Sequence, residues 1–248
     1  MASRKSKRTP PRHRRGADGS PRRVSQGASR HDGRVPPKVT GSFPIVGVGA
    51  SAGGLEAFTE LLKHLPLDTG MAFVLVQHLD PQHESALTQL LARATALPVQ
   101  DVTNNLRVDP NRVYVIPRNT NLSIAHGVLQ LQPRPNTRSP HRSIDFFFES
   151  LAQDQRERAI GVILSGTATD GTLGLEAIKA EGGITFTQDE SARYDSMPKS
   201  AQAAGCVDFV LSPADVAHES FHTSCADCVG GALRRPRAHF APRPNRTE

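Results

Sequence analysis

The chain is expected to fold as an α/β domain around a mainly parallel, doubly wound sheet of Rossmann-like three-layer architecture that also carries one antiparallel hairpin. Three observations predict this. Short apolar runs alternate with segments whose apolar residues recur at helical spacing, the pattern of repeated βα units. The apolar runs are continuous, as in strands buried on both faces. One stretch breaks the rhythm: two alternating runs, Leu122 to Ala125 and Val128 to Leu131, meet at His126-Gly127 and read as a hairpin.

In chain order, Pro44-Ile-Val-Gly-Val48 is the first strand, followed by a glycine-rich turn and a helix whose face is Leu55, Phe58, Leu61, Leu62 and Leu65, stopped at Pro66. Met71-Ala-Phe-Val-Leu-Val76 is the second strand. Ser85 is placed to cap a helix with the face Leu87, Leu90, Leu91 and Ala94, which ends before Pro98. Val113-Tyr-Val-Ile116 and the hairpin follow, then a polar loop over 133–143. Alternation resumes with a helix over 144–153, a strand from Ala159 to Leu164, a helix over 172–181, a strand from Ile184 to Thr187, a short helix near 198–204 and a strand from Val207 to Leu211.

The hydrophobic content of 37% over 248 residues is modest because the ends are polar. Residues 1–40 hold twelve Lys and Arg against Asp18 and Asp32, with almost no apolar side chains, and are expected to form a disordered basic arm. Residues 41–220 are the expected folded domain, and 221–248 an Arg- and Pro-rich polar tail. The net charge of +6 comes from the ends: residues 41–231 hold thirteen Lys and Arg against twenty-one Asp and Glu. The arm reads either as a solubilising tail or an imperfect start site, or as a contact for nucleic acid, a membrane or an acidic partner. No apolar run approaches the length of a membrane span, and no secretory leader is visible, so a cytoplasmic location is expected. Cys206, Cys225 and Cys228 suggest no disulfide framework. Cys225-x-x-Cys228 with His218 and His222 upstream could form half of a zinc site, or be incidental residues of the tail.

Three polar segments follow three of the predicted strands: Gly49-Ala-Ser-Ala-Gly-Gly54, Gln77-His78-Leu-Asp-Pro81 and Ser165-Gly-Thr-Ala-Thr-Asp-Gly171. In a parallel sheet the carboxyl ends of strands share one edge, where ligands bind. A serine, a histidine and an aspartate far apart in sequence therefore converge there. Serine becomes a nucleophile when an imidazole takes its proton and a carboxylate orients that imidazole. Ser51, His78 and Asp170 are the candidates for these roles, with the backbone N–H groups of Ala52 and Thr167 as candidate oxyanion donors.

Gly47-Val-Gly49 also begins a dinucleotide-binding pattern, but that reading expects an acidic residue closing the second strand, where Gln77-His78 stands. Gly49-Ala-Ser-Ala-Gly53 spells a nucleophile elbow, although α/β-hydrolases place strands before their serine and the histidine last. Asp80 and Asp189 are alternative partners for the histidine. His83, His126 and His141 lie in loops or a turn. Arg142 and Asp145 stand where a helix begins, which suits capping. Met197-Pro198 suits either a cleft wall or a turn before a helix.

The blocks GVGASAGGLEA, VLVQHLDP, VYVIPRNTNL, RSIDFFFESLA, AIGVILSGTATDGTLGLEAI, GGITFTQDESARYDSMPKSA and GCVDFVL, in this order across residues 43–218, resemble the catalytic domain of CheB-type protein-glutamate methylesterases. Their wording is closest to the form found at the head of methylesterase–methyltransferase fusions. The resemblance implies a serine hydrolase that removes methyl esters from glutamyl residues on the signalling helices of chemoreceptors and deamidates certain glutamines there. It puts the family's serine, histidine and aspartate on Ser51, His78 and Asp170, and requires no cofactor. The implied partners are a methylated chemoreceptor-like protein and, around it, a receptor methyltransferase or a response regulator. Two departures stand out. Thr167-Ala168 occupies the place of the family's frequent Met-Gly, and the basic arm stands where the chemotaxis enzyme has its receiver. A non-catalytic binding module of the same fold is the rival from another class; the complete triad argues against it.

Overall fold

The computed structural model describes residues 43–77, 87–134 and 142–227, with side chains described as far as residue 221. The basic arm, His78, Asp80, His83, Ser85, His141 and Cys228 lie outside the described residues. The chain runs β1 (Ile45–Ala50), α1 (Gly54–Lys63), β2 (Ala72–Gln77), α2 (Leu87–Ala92), β3 (Val99–Asp101), β4 (Leu106–Arg107) and β5 (Arg112–Val115). It continues with β6 (Thr120–Ala125), β7 (Val128–Pro133), α3 (Ser143–Gln155), β8 (Ala159–Ile163), α4 (Thr172–Ala180), β9 (Ile184–Gln188), α5 (Ser196–Ala203), β10 (Phe209–Leu211) and α6 (Pro213–Asp227).

Seven strands form one sheet in the order β10-β9-β8-β1-β2-β5-β3, and every pairing in it is parallel. The expected hairpin, β6 with β7, belongs to a separate antiparallel sheet of order β4-β7-β6. Its turn needs positive φ at both central residues, and His126 (φ 52°) and Gly127 (φ 68°) supply it. Asp154 of α3 accepts both turn amides, and Ser150 Oγ accepts the Ile124 N–H at 3.1 Å, so the small sheet is fastened to α3.

The three layers follow from the alternation of side chains along the strands. Val46, Val48 and Ala50 of β1 join Phe73, Leu75, Val113, Val115, Ile160 and Val162 in a core shared with α1, α2 and α6. On the other face, Ile45, Val74, Val76, Tyr114 and Ile163 pack with α3, α4 and α5. There β1 presents Gly47 and Gly49. A Cβ at Gly47 would stand 2.8 Å from Phe148 Cε1, and one at Gly49 only 2.5 Å from Ile144 Cγ2. These glycines let α3 lie directly on the β1 backbone, which accounts for the Gly-x-Gly that mimics a dinucleotide loop.

The elements read from sequence are present, with ends shifted by a few residues. β3, β4 and α6 were not among them. β3 and β4 are too short to carry a pattern. α6 has a legible start that the polar composition obscured: Ser212 Oγ donates to Asp215 Oδ2 at 2.7 Å and accepts the Asp215 N–H at 3.2 Å, a serine N-cap with Pro213 at the first helical position. The helix continues past position 220, where composition alone had put the start of the tail. No helix among the described residues is long and apolar enough to cross a membrane.

Candidate active site

The strand order reverses at β1. From β1 the chain builds β2, β3 and β5 to one side, then crosses over α3 to lay β8 against the opposite edge of β1 and continues outward through β9 and β10. The crevice at the carboxyl ends of β1 and β8 is the topological switch point, the position at which open α/β sheets bind ligands. Ser51 leaves β1 there, and the loop from Leu164 to Gly171 leaves β8. β2 ends alongside, with Gln77 in register with Ala50, one residue before His78 in the sequence.

Ser51 occupies a strand–turn–helix elbow held through its backbone. Its N–H donates to the Ser165 carbonyl at 3.0 Å, and its own carbonyl accepts from Gly54 N–H at 2.9 Å and Gln77 Nε2 at 3.3 Å. The turn into α1 passes through Gly53 in the left-handed region (φ 73°), where a Cβ would stand 2.7 Å from Ser165 Oγ, so no other residue fits without displacement.

Ser165, which sequence reasoning had not singled out, is the buried tie of the site. Its hydroxyl donates to the Ala52 carbonyl at 2.9 Å and accepts the Tyr194 N–H at 3.0 Å, while its own N–H donates to Gln188 Oε1 at 2.9 Å. Three loops, after β1, β8 and β9, are thereby stitched together. Gly166 N–H donates to the Tyr194 carbonyl at 2.9 Å, and Met197 N–H to the Gly166 carbonyl at 3.2 Å. Met197 and Pro198 are buried in the first turn of α5, with Met197 beneath Gly166, so the pair serves the start of that helix.

The next three residues, Thr167 to Thr169, are exposed beside the serine. Ala168 holds φ 72°, a strained conformation for a residue with a side chain, at the place where the resembling family often has glycine. Among the described residues no acceptor takes the N–H of Ala52 or of Thr167.

Asp170 is buried, and its carboxylate sits at the N-terminus of α3: Oδ2 accepts the Ile144 N–H and Oδ1 the Asp145 N–H, each at 3.0 Å. A carboxylate offers about four lone-pair sites, so these two amides leave capacity for a further donor such as an imidazole. Asp145 returns the arrangement. It stands in the first turn of α3 as expected, but its side chain caps α4 and not its own helix, with Oδ1 accepting Gly171 N–H at 3.0 Å and Gly174 N–H at 2.8 Å. The two aspartates thus exchange helices, each satisfying amides that would otherwise be orphaned.

Arg142 forks onto Asp145 Oδ2 at 2.9 and 3.0 Å, and Arg134 reaches Ser143 Oγ at 3.0 Å with Asp170 in electrostatic range. Burial pushes the Asp145 carboxyl above its ordinary range and the Asp170 charge adds to the rise, while the Gly174 amide and Arg142 pull it back.

A pH dependence follows from that elevated carboxyl. A group that titrates higher in the folded state contributes stability that is complete below the unfolded carboxylate value near 4 and is lost as pH rises through the folded value. Asp145→Asn keeps an acceptor for Gly171 and Gly174 but has no such slope, and is expected to cost about 1 kcal/mol. The stability gap between wild type and variant, measured by urea unfolding, should be widest near pH 4 and narrow toward pH 7. A gap that widens toward neutrality contradicts the direction of the shift.

The remaining sequence candidates separate cleanly. His78 itself lies outside the described residues, as do Asp80, His83 and His141. Asp189 is committed to a local turn, accepting Ser191 Oγ at 2.6 Å and Ser191 N–H at 3.1 Å. His126 serves the hairpin turn, and the His218 ring lies 6.0 Å from that of His64, on the face that α1 shares with α6. Among the residues described, no group of three or more His, Cys, Asp or Glu could hold a metal ion; Cys225, Cys228 and His222 fall outside the described side chains.

Comparison with known proteins is consistent from sequence to structure. The family described as CheB methylesterase matches residues 46–220. A relative from Burkholderia pseudomallei strain 1710b, protein-glutamate methylesterase/protein-glutamine glutaminase 2, is 39% identical over 171 residues, covering 68% of this chain and 50% of its own length. A Pseudomonas aeruginosa protein of the same name, numbered 3, is 35% identical over 181 residues, covering 72% of this chain and 54% of its own. The chain therefore spans about half the length of these relatives. The crystal structure of the Thermotoga maritima CheB methylesterase catalytic domain superposes with a TM-score of 0.67 at 27% identity, over 73% of this chain and 98% of that one.

Proposed function

Because the chain belongs to the CheB methylesterase family, we propose that it hydrolyses glutamyl methyl esters on a methylated chemoreceptor-like protein in the cytoplasm, with Ser51 as nucleophile, His78 as general base and Asp170 as the carboxylate that orients the imidazole. The observation that supports this reading is that Ser51 and the loop bearing Asp170 leave the adjacent carboxyl ends of β1 and β8, with β2 ending in register beside β1 just before His78. Ser51 Oγ attacks the ester carbonyl as His78 takes its proton. The N–H groups of Ala52 and Thr167 hold the oxyanion. Collapse of the tetrahedral species breaks the bond to the methoxy oxygen, His78 returns the proton, and methanol departs. Water, deprotonated by the same imidazole, then cleaves the acyl-serine to give the glutamate carboxylate and free Ser51. A glutamine amide follows the same path with ammonia leaving. The reaction as written uses no metal or organic cofactor. A receptor methyltransferase is the partner that makes the ester, and a response regulator a candidate for control.

The α3 amides fix the plane of the Asp170 carboxylate, which presents it as a preoriented acceptor for the histidine. The test is covalent. A fluorophosphonate should label the chain once, at Ser51, as read by intact mass and peptide mapping. His78→Gln should slow that labelling about 100-fold or more, since the base is lost. Labelling elsewhere, or at an unchanged rate in the variant, rejects the assignment.

A further inference from the structure

The Ser51 loop is flanked at Gly53 by a large side chain that the reaction does not use. Tyr194 is 40% exposed, the one aromatic among the large apolar side chains that stand out from the surface of the described residues. Its backbone is nonetheless held at both ends, N–H to Ser165 Oγ at 3.0 Å and carbonyl from Gly166 N–H at 2.9 Å, the two residues that also contact the Ser51 loop. The ring lies against Gly53: a Cβ there would meet Tyr194 Cδ2 at 3.2 Å and Arg193 Cβ at 3.4 Å. The Arg193 guanidinium sits 5.7 Å from the ring centroid and 3.8 Å from Glu56 of α1. An exposed ring on an immobilised backbone loses little entropy on binding, which is why tyrosine is enriched at binding hot spots.

The surroundings suit a protein and not a small ester. Among the described residues, Thr167 to Thr169 and Tyr194 form an exposed rim beside the Ser51 loop. A glutamyl ester extending from a helix would bring the side chains three and four residues away onto that rim.

We propose that Tyr194, steadied by Arg193, is the specificity-determining residue that packs on apolar side chains one turn from the ester on the substrate helix. This rests on the esterase reading above. Discrimination between protein and small ester is therefore carried by the ring face. The Arg193–Glu56 pair satisfies its own charges and contributes little attraction for an acidic substrate.

The experiment compares kcat/KM of the full chain on a methylated receptor signalling fragment with kcat/KM on p-nitrophenyl acetate. Tyr194→Ala should lower the ratio of protein to small-ester turnover at least tenfold, through KM for the protein, and by the same factor at low and high salt. Tyr194→Phe should keep the ratio within about twofold. Leu67→Ala, an exposed apolar residue before β2 and so at the opposite edge of the sheet, should leave it unchanged. An unchanged ratio in Tyr194→Ala overturns the proposal, as does an equal loss on both esters, which would assign Tyr194 to holding the Ser165 loop. Binding of the methylated fragment to Ser51→Ala, with and without Tyr194→Ala, reads the Tyr194 contact without turnover: a tenfold weaker Kd is expected, and equal affinities overturn the proposal. If the wild type cleaves neither ester while that difference in Kd persists, the esterase reading fails and the Tyr194 contact stands.

Discussion

Replacing Ser51 by alanine is expected to lower methanol release from methylated receptor by about 10⁴-fold or more while leaving the fold unchanged. The two halves of this expectation have different origins. The contacts that fix the elbow, to Ser165, Gly54 and Gln77, run through the Ser51 N–H and carbonyl, which alanine retains. The hydroxyl is the part the chemistry consumes. Residual hydrolysis should reflect oxyanion donation and positioning alone. A variant with more than about a tenth of wild-type turnover excludes Ser51 as nucleophile, and a large drop in unfolding midpoint contradicts the backbone account of the elbow.

Asp170→Asn should act on activity and stability together, which separates it from Ser51→Ala. Both Asp170 oxygens accept an amide hydrogen from the start of α3. An asparagine supplies one acceptor and turns an NH₂ group toward the other donor, leaving a buried N–H unsatisfied at a cost of about 1–3 kcal/mol. The imidazole would meanwhile face a group that no longer selects its tautomer, a loss of about 10³ to 10⁴ in turnover by analogy with other serine triads. Urea unfolding and methanol release on the same preparation measure both. Asp189→Asn, which alters only the turn around Ser191, should change neither appreciably. Turnover within tenfold of wild type in Asp170→Asn removes it from the histidine's side.

Much of this site is visible in the sequence because buried parallel strands write themselves as apolar runs and the loops at their carboxyl ends are the polar segments between. That is how Ser51 and Asp170 can be proposed together from positions far apart. What sequence spacing conceals is who satisfies whom. Asp145 looks like the cap of its own helix, yet its carboxylate serves α4, because the partner amides come from a helix that is a neighbour only in space. Ser165 looks like one more residue of a polar loop, and its role as the tie between three loops depends on Ala52, Gln188 and Tyr194 arriving from other strands. Gly47 and Gly49 were open to a nucleotide-binding reading until the close approach of α3 explained them. α6 went unread for a different reason: Ser212 to Asp215 is a legible helix start, but the polar composition beyond it outweighed a local signal.

The switch-point geometry also governs when in the life of a chain the site can exist. A ribosome releases Ser51 and the β2 end early, but the hydroxyl that ties the Ser51 loop, Ser165, lies 113 residues from its Ala52 acceptor, and the edge of β1 away from β2 waits for β8 to pair with it. Closing so long a loop slows the encounter more than it weakens the final contact. Until β8 docks, that edge of β1 is an unpaired, wholly apolar strand, the kind of surface on which nascent chains associate with one another. Completion of the site and covering of that edge are therefore the same event, and the newly made protein gains its nucleophile's supports at the moment it loses an adhesive edge.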